Sequence, residues 1–555
     1  MASAPFVRRA RARCRLVWVS SLLAALASAL AGCQDAAPRT VLLVSLDSTR
    51  ADALTFRDPA AAPRLVEFAR RGTVFTQAIS GSSWTLPTHA QMFVGQPPVL
   101  HGVQHDGVRI DPAAATWPRL LADAGWVGLG YYTGWYLAKD FGFPRGFEVY
   151  ENAMTGGEGL EREYGRLVAA GEQEKAQALF GTRDVASHRD VTSPNVVQRF
   201  EVGLRAVHPS KDVFAFAHLF DPHYDYAPPA PWDRVFDPDY DGTITGKDFY
   251  LNPAIYDATA EPPRRRISDR DLAHIVALYR GEIGWTDAHV GAIFDALERA
   301  GRLDRALVIV TADHGEEFFE HGGRGHRNTL FDEQLRVPLL IVDGVAGSAT
   351  PQRDAQVSLC DLAPTVLDWA GLDAPAEWVG RSLLPALGGG AFESEPALAS
   401  LLHYRKTRSG EFAIRVVDAW RTPTQKLMRW LELRPEGLVL IDTAWYDLAA
   451  DPGELAPVGD LDDPRLAAAW DQLERRYDAL RAIWRAGART PLEARRTQFY
   501  TMMGAEGAQA DLAALGYGGE RPPDEALAPF GVGPPERLDR AGLTRTPRRL
   551  PAGRD

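Results

Sequence analysis

The sequence predicts an α/β fold with a doubly wound, mostly parallel central sheet and helices on both faces, plus a small C-terminal subdomain with an antiparallel sheet. Three apolar runs, at 41–46, 213–220 and 307–312, have the continuous hydrophobicity of strands buried on both faces of a parallel sheet. Helical stretches lie between these runs, an alternation typical of doubly wound domains. From residue 408 the pattern changes to short alternating runs, which indicate the antiparallel sheet.

The helices are predicted from their apolar periodicity. The stretch at 272–300 repeats its apolar residues about every 3.6 positions, and shorter helical stretches occur at 63–71 and 117–124. Two polar, turn-rich segments, 152–200 and 233–270, are predicted to be insertions over the face of the sheet. We expect these insertions to carry the substrate specificity.

The C-terminal subdomain is predicted to close its sheet on a helix. Its strands are expected at 412–417, 426–433 and 438–442, and its helix at about 464–485. The chain is thus divided into a signal peptide at 1–32, an α/β domain at 37–390, an α+β subdomain at 391–518 and a Pro/Arg-rich tail at 519–555.

The composition is that of a folded globular protein. Of the 555 residues, 45% are hydrophobic and 24% are charged, so the chain can bury a large core. The 61 basic and 73 acidic residues give a net charge of −12, which argues against a nucleic-acid partner. The three cysteines, Cys14, Cys33 and Cys360, exclude a disulfide framework.

The N-terminus has the order of a bacterial signal sequence. Arginines concentrate at 8–15, an uncharged run follows at 16–32, and the segment ends in Leu-Ala-Gly before Cys33. An uncleaved anchor helix is the alternative interpretation. The Leu-Ala-Gly-Cys sequence resembles the lipobox of bacterial lipoproteins, which implies lipidation of Cys33 and, with Gln34 next to it, outer-membrane sorting. Loss of five arginines leaves a charge of −17, so acyl chains and not a basic face would hold the protein to the membrane.

Acidic residues and a histidine follow the predicted strands. Asp47, Asp221 and the pair Asp313 and His314 each stand where an apolar run ends. Ligands of open α/β sheets bind at the carboxyl ends of the strands, so these side chains are expected to meet. Asp47, Asp313 and His314 suit one divalent cation, Ca²⁺, Mn²⁺ or Zn²⁺. The alternative for any single aspartate is a helix cap.

A threonine precedes a further predicted helix. Thr85 lies two residues before Pro87, ahead of an apolar-periodic run, so we predict that it is the N-cap residue. Its oxygen would lie in the positive field of the helix N-terminus. That field and a bound metal would stabilise an alkoxide able to attack a tetrahedral oxyanion ester. The alternative is an ordinary capping threonine.

Together these segments resemble the sulfatase family of the alkaline phosphatase superfamily, over residues 40 to 518. The matching segments are 44–52, 84–90, 133–150, 218–223, 311–316 with 320–322, 336–339, 446–454 and 514–517. The resemblance implies an alkaline-phosphatase-like fold with its catalytic domain at 37–390. It implies that the chain is an ester hydrolase or transferase acting on a small-molecule, glycan or lipid ester.

The resemblance also implies roles for single residues. Asp47, Asp313 and His314 would bind the metal, with Thr85 at the position of the family's nucleophile and as a further ligand. His223 and His326 would contact the transferred group or the leaving oxygen. Arg50, His89 and Arg327 are further candidates for the same pocket. His321, beside two glycines, suits either a structural turn or a substrate contact.

Two departures from the family pattern bear on the reaction. Sulfatases oxidise the Cys or Ser of Cys-x-Pro-x-Arg to formylglycine, whereas this chain has Thr85 and, at the arginine position, His89. Threonine cannot form that aldehyde, so no formylglycine is expected. Ser48 stands where many sulfatases have a second aspartate, which weakens a Ca²⁺ site. A metal-bound threonine resembles instead the phosphoryl-transferring branches of the superfamily.

Three hypotheses follow from these residues. The first is a phosphoester hydrolase or transferase that uses Thr85, and it is favoured because a sulfate ester of an ordinary hydroxyl is hard to release. The second is a sulfuric ester hydrolase without formylglycine. The third is a catalytically silent lipoprotein that binds envelope glycans, which the intact set Asp47, Asp313 and His314 argues against.

Overall fold

The computed structural model describes residues 37–153, 192–247, 249, 252–257, 264–347, 350–406, 412–434, 437–487, 489–497, 527, 534 and 538. The predicted signal peptide, the lipidation residue Cys33 and the motif at 514–517 lie outside the described residues, as do most of the insertion at 152–200 and of the tail. Among the described residues, no helix is both long and apolar enough to cross a membrane.

Within the described ranges, twelve strands precede the C-terminal sheet. In chain order they are β1 Thr40–Leu46, β2 Thr73–Ile79, β3 Val127–Tyr132, β4 Val149–Asn152, β5 Val213–Leu219, β6 Tyr256–Asp257, β7 Arg264–Arg265, β8 Ala306–Ala312, β9 Glu317–Phe318, β10 Arg324–Gly325, β11 Arg336–Asp343 and β12 Gln352–Ser358. Eight of them form the central sheet in the order β12-β2-β11-β8-β1-β5-β3-β4. Seven strands run parallel to one another and β11 is antiparallel to β8 and β2. The sheet is thus mostly parallel, as predicted.

Helices cover both faces of this sheet because successive residues of a strand point to opposite sides. Val41 and Leu43 of β1 pack into one core cluster, with residues of helices Thr85–Val94, Trp117–Asp123 and Leu362–Ala370. Leu42 and Val44 pack into the other, with residues of helices Pro63–Ala69, Thr192–Ala206 and Asp269–Arg299. The remaining α-helices are Pro98–His101, Asp332–Leu335, Leu384–Leu387 and Pro464–Ala486, and the 3₁₀ helices are Trp135–Leu137, Lys139–Phe141, Leu303–Arg305, Leu359–Asp361 and Leu492–Arg495.

The long helix begins three residues before its apolar period does. It was expected at 272–300 and spans Asp269–Arg299. Ser268 forms a capping box: its side chain accepts from the Asp271 N–H and the Asp271 carboxylate accepts from the Ser268 N–H. These bonds satisfy otherwise unpaired donors and extend the helix into a polar first turn, which periodicity alone does not reveal.

The C-terminal part is a four-stranded antiparallel sheet, β13 Ala397–Lys406, β14 Phe412–Arg421, β15 Gln425–Arg434 and β16 Gly437–Asp447, in that order. Helix Pro464–Ala486 packs on it through Trp470 and Leu473. A buried Arg429 is paired with Asp418 at 2.7 Å and with Glu474 of the helix at 2.6 Å. Sequence periodicity predicted the last three strands and missed β13. Cys360 is buried, and burial raises the pKa of its thiol to about 12.

Candidate active site

Two neighbouring strands bring the predicted ligands together. In the sheet β1 lies between β5 and β8, with Ser45 of β1 opposite His218 on one side and Thr311 on the other. Asp47 follows β1, and Asp313 and His314 follow β8, so the three side chains meet at one edge of the sheet. All three are at most 1% exposed.

Backbone N–H groups hold the Asp313 carboxylate, and a side-chain hydroxyl holds that of Asp47. Asp313 Oδ1 accepts from the N–H of His314 at 2.9 Å and from the N–H of Ser48 at 3.2 Å. The Ser48 hydroxyl donates to Asp47 Oδ1 at 2.8 Å. Ser48, at the place of the family's second aspartate, has a left-handed backbone with φ of 53°. It therefore orients both carboxylates. Burial and, next to it, the Asp47 carboxylate raise the pKa of Asp313.

His314 directs a lone pair at these carboxylates. Its Nδ1 lies 2.9 Å from the carbonyl oxygen of Gly315, which can only accept, so Nδ1 carries the proton. The unprotonated Nε2 lies 3.4 Å from Asp313 Oδ2 and 3.6 Å from Asp47 Oδ1. Within the part of the chain that the structure describes, neither His314 Nε2 nor Asp313 Oδ2 nor Asp47 Oδ2 has a hydrogen-bond partner.

Such buried, unpaired acceptors are costly, and their arrangement fits a divalent cation. Asp47, Asp313 and His314 each present one ligand atom, all within 4.8 Å of one another. Two ligands about 2.1 Å from a tetrahedral ion are separated by about 3.4 Å, close to the spacings of this cluster. The residues present therefore fit the metal that the family resemblance implies.

Thr85 begins the helix Thr85–Val94 and is 3% exposed. The residue before it, Trp84, is the extended N-cap, and no side chain among the described residues caps this helix. The prediction that Thr85 is the N-cap is thus wrong by one residue. Trp84, whose backbone is extended with φ of −163°, is the N-cap, and Thr85 is the first residue of the helix. The hydroxyl still lies in the first turn, where the helix dipole is positive.

His89 connects this turn to the carboxylates. Its Nδ1–H donates to the carbonyl oxygen of Thr85 at 2.9 Å and lies 3.6 Å from Asp313 Oδ2. Its Nε2 accepts from the Ser45 hydroxyl at 2.9 Å. Burial lowers the pKa of His89 to about 3, so the ring is neutral. At the family's arginine position this chain therefore has an uncharged residue that contacts both the Thr85 carbonyl and Asp313.

His223 and His326, for which the resemblance implies contacts to the transferred group or the leaving oxygen, lie next to each other. Their ring centroids are 4.9 Å apart, and the His326 ring is 4.4 Å from that of His314. His326 Nδ1 lies 3.1 Å from Glu316 Oε1, and the other oxygen of Glu316 accepts from the Tyr226 hydroxyl at 2.8 Å. Burial lowers the pKa of His326 and raises that of Glu316. His326 thus lies beside the candidate metal ligand His314, and His223 lies beside His326.

The two arginine candidates have different surroundings. Arg50 forms ion pairs with Asp52 at 2.7 Å and with Glu320 at 2.5 Å, so its guanidinium is directed to carboxylates outside the ligand cluster. Arg327 lies beside the turn of Thr85: its backbone N–H donates to the Ser83 carbonyl at 2.8 Å and its guanidinium stacks 4.0 Å above the Trp84 ring.

His321 takes part in a separate acidic cluster. Its Nδ1 lies 2.8 Å from Glu333, its ring stacks on Phe331 at 3.5 Å, and its Nε2 lies 3.3 Å from the Glu454 carbonyl. Burial raises the pKa of the nearby Glu317 to about 7. These contacts join the α/β domain to the C-terminal part, which favours the structural interpretation of His321.

Three residues near the site were not singled out by sequence reasoning. Glu316 contacts His326 and accepts a hydrogen bond from Tyr226, and His218 Nε2 lies 3.3 Å from Asp47. Glu316 follows Asp313 and His314 directly, which was an available signal. His218 reads as a polar interruption near the end of an apolar strand, and only the strand register places it beside Asp47.

Comparison with known proteins is consistent with this geometry. The sequence profile of the family described as Sulfatase matches residues 39–372, and one described as N-sulphoglucosamine sulphohydrolase, C-terminal, matches 320–482. Arylsulfatase K of Rattus norvegicus is 24% identical over 462 residues, 79% of this chain and 78% of that protein. The multifunctional alkaline phosphatase superfamily protein PehA of Trinickia caryophylli is 33% identical over 135 residues, 24% of this chain and 26% of PehA.

The fold has counterparts among solved structures. The phosphonate monoester hydrolase of Agrobacterium radiobacter superposes with a TM-score of 0.59 and 23% identity, over 80% of this chain and 95% of the other. The predicted fold class, including the separate antiparallel sheet, is confirmed.

Proposed function

Because this chain belongs to the sulfatase family of ester hydrolases, we propose that it cleaves phosphate esters, with Thr85 as nucleophile and one divalent cation held by Asp47, Asp313, His314 and the Thr85 hydroxyl. The observation that carries the proposal is the position of Thr85, a residue that cannot be oxidised to formylglycine. Thr85 starts a helix and is tied through His89 to the carboxylate cluster. No formylglycine takes part.

The residues of the site divide the work of a displacement at phosphorus. When bound, the cation would supply charge neutralisation and would lower the pKa of the Thr85 hydroxyl. Thr85 gives its hydroxyl proton to a water molecule, its oxygen forms a bond to phosphorus, and the bond from phosphorus to the ester oxygen breaks. His223 and His326, next to the cluster, supply imidazoles to protonate the leaving oxygen and to take a proton from the water or alcohol that releases the phosphoryl group.

Glu316 acts on this chemistry through His326. Glu316 Oε1 lies 3.1 Å from His326 Nδ1, and this hydrogen bond fixes the orientation of the ring. Tyr226 fixes the carboxylate from its other side. Glu316 and Tyr226 are therefore positioning residues in this proposal.

Sulfate esters are a second candidate substrate class. A relative named arylsulfatase K matches most of this chain. Phosphoryl transfer is favoured since the sulfate ester of an ordinary threonine hydroxyl is hard to hydrolyse, whereas a formylglycine hydrate can expel sulfate.

A panel of esters with one common leaving group tests the proposal. Purified protein is assayed on 4-nitrophenyl sulfate, phosphate, phosphate diester and phenylphosphonate, with Zn²⁺, Mn²⁺ or Ca²⁺ added. We expect kcat/KM on at least one phosphorus ester to exceed that on the sulfate by at least about tenfold, a difference of about 1.4 kcal/mol in transition-state stabilisation. The reverse preference would identify a sulfatase that works without formylglycine.

We further propose that the mature protein is a lipoprotein anchored at Cys33 in the bacterial cell envelope. The Leu-Ala-Gly-Cys sequence after a charged and then an apolar segment supports this. Cells grown with a clickable fatty acid should label the wild type and not Cys33→Ala, while Cys360→Ala should label like the wild type. Equal labelling of Cys33→Ala would refute the anchor.

A further inference from the structure

We propose that His218 is an additional ligand of the cation, through Nε2, so that two imidazole nitrogens hold the ion. The inference rests on the metal site of the proposed function and adds a residue from β5 to it. Neither the family resemblance nor the sequence motifs assign His218 a role.

The first support is a convergence of buried, unpaired atoms. His218 is 0% exposed, and its Nε2 lies 3.3 Å from Asp47 Oδ2. Among the described residues, neither of these two atoms has a hydrogen-bond partner. His314 Nε2 and Asp313 Oδ2, also unpaired among the described residues, belong to the adjoining ligand group with Asp47, and the ligand atoms of His218 and Asp313 lie within 4.8 Å of each other. Four such atoms at one place are rare in a folded protein unless a ligand satisfies them.

The second support is the protonation of the ring. Thr133 has one hydroxyl hydrogen, and it is donated to the His218 carbonyl at 3.0 Å. The contact at 3.2 Å between Thr133 Oγ1 and His218 Nδ1 therefore requires the proton to be on Nδ1. In the neutral ring, Nε2 then carries a lone pair directed at a carboxylate oxygen. Two lone pairs repel each other, and a cation between them turns the repulsion into coordination.

His218 thereby repeats the arrangement of His314. In both rings Nδ1 donates to a protein oxygen, which is the usual second hydrogen bond of a metal-binding histidine, and Nε2 faces Asp47. The two rings approach different oxygens of the Asp47 carboxylate, Oδ2 and Oδ1 respectively.

His89 does not offer a comparable ligand, although it also lies near His218 and Asp313. Its Nδ1 donates to the Thr85 carbonyl and its Nε2 accepts from Ser45, so both ring nitrogens are used. A second ion held by His89, His218 and Asp313 is therefore disfavoured, and His218 is assigned to the same ion as His314.

The additional nitrogen changes which metals the site should select. Ca²⁺ prefers six to eight oxygen ligands, whereas Zn²⁺ accepts mixed imidazole and carboxylate sets. We therefore expect Zn²⁺ to bind much more tightly than Ca²⁺.

The test uses His218→Asn in the full-length protein, since the Asn amide can replace the Nδ1 donor to Thr133 but cannot reach the Nε2 position. Zn²⁺ affinity is measured by competition with a chromophoric chelator, and pulsed EPR of the Cu²⁺-loaded protein counts coordinated imidazoles. We expect Zn²⁺ affinity to fall at least about 10-fold and the count to fall from two to one. His101→Gln, at a buried histidine bonded to the Pro87 carbonyl, should leave both unchanged.

Thr133→Val provides an independent test should His218→Asn not fold. It keeps the side-chain volume and removes the acceptor of the Nδ1 proton, so Zn²⁺ affinity should fall about 10- to 100-fold. If the variants bound Zn²⁺ with wild-type affinity, or if EPR counted one coordinated imidazole in the wild type, the role of His218 would be overturned. The rest of the metal site would not be affected by that result. A wild-type protein that binds no metal would overturn the metal site of the proposed function as well.

Discussion

Thr85→Ala should abolish turnover of every ester that the protein cleaves. The change removes the hydroxyl that attacks phosphorus, and losing a covalent nucleophile should cost at least the roughly 10²- to 10³-fold rate loss of a single oxyanion contact. Thr85→Ser should retain part of the activity because it keeps the hydroxyl and loses one methyl group. The measurement is kcat on the preferred ester, with mass spectrometry of the wild-type peptide to show an unmodified threonine.

Thr88→Ala is the matched control. Thr88 lies in the same first turn, is buried, and donates to the Trp84 carbonyl at 3.1 Å, so it has a structural bond. Its loss should lower the melting temperature and leave turnover of the folded protein within an order of magnitude of wild type. If Thr85→Ala kept wild-type turnover, water would attack the ester directly and the covalent mechanism would be wrong.

Asp313→Ala should remove both the metal and the activity. The carboxylate accepts two backbone N–H groups through Oδ1 and presents Oδ2 to His314. Without it the cluster loses a charged ligand that lies near His314, His218 and His89 alike. We expect metal content by mass spectrometry to fall below one tenth of wild type after dialysis, and kcat/KM to fall at least about 10³-fold, about 4 kcal/mol in transition-state stabilisation.

Asp343→Asn is the control for Asp313→Ala. It removes the carboxylate of a buried aspartate that lies outside the ligand cluster. Asp343 ends β11, the antiparallel strand, and its carboxylate accepts from the N–H groups of Val345 and Ala346 in a turn away from the ligand cluster. This variant should keep its metal and its activity. Full metal occupancy in Asp313→Ala would show that the ligands have been assigned wrongly.

Much of the fold was predictable because burial on both faces leaves a clear signature. The runs at β1, β5 and β8 are apolar throughout, so their existence and nearly their bounds follow from local sequence. β13 escaped prediction: only its pairing with β14 shows that Ala397–Lys406 is the first strand of the sheet. Whether such a segment forms a strand depends on its pairing partner elsewhere in the chain.

The sequence by itself determined the chemistry of the site: aspartates and a histidine after two strands, and a threonine at a helix start. Such positions are local, because the end of a buried strand and the first turn of a helix are visible in the chain. Only the tertiary structure decided which side chains share a space. Register between β1 and β5 places His218 beside Asp47, and packing directs Arg50 to Glu320. Contacts across neighbouring strands depend on residues more than a hundred positions apart, and no local pattern encodes them.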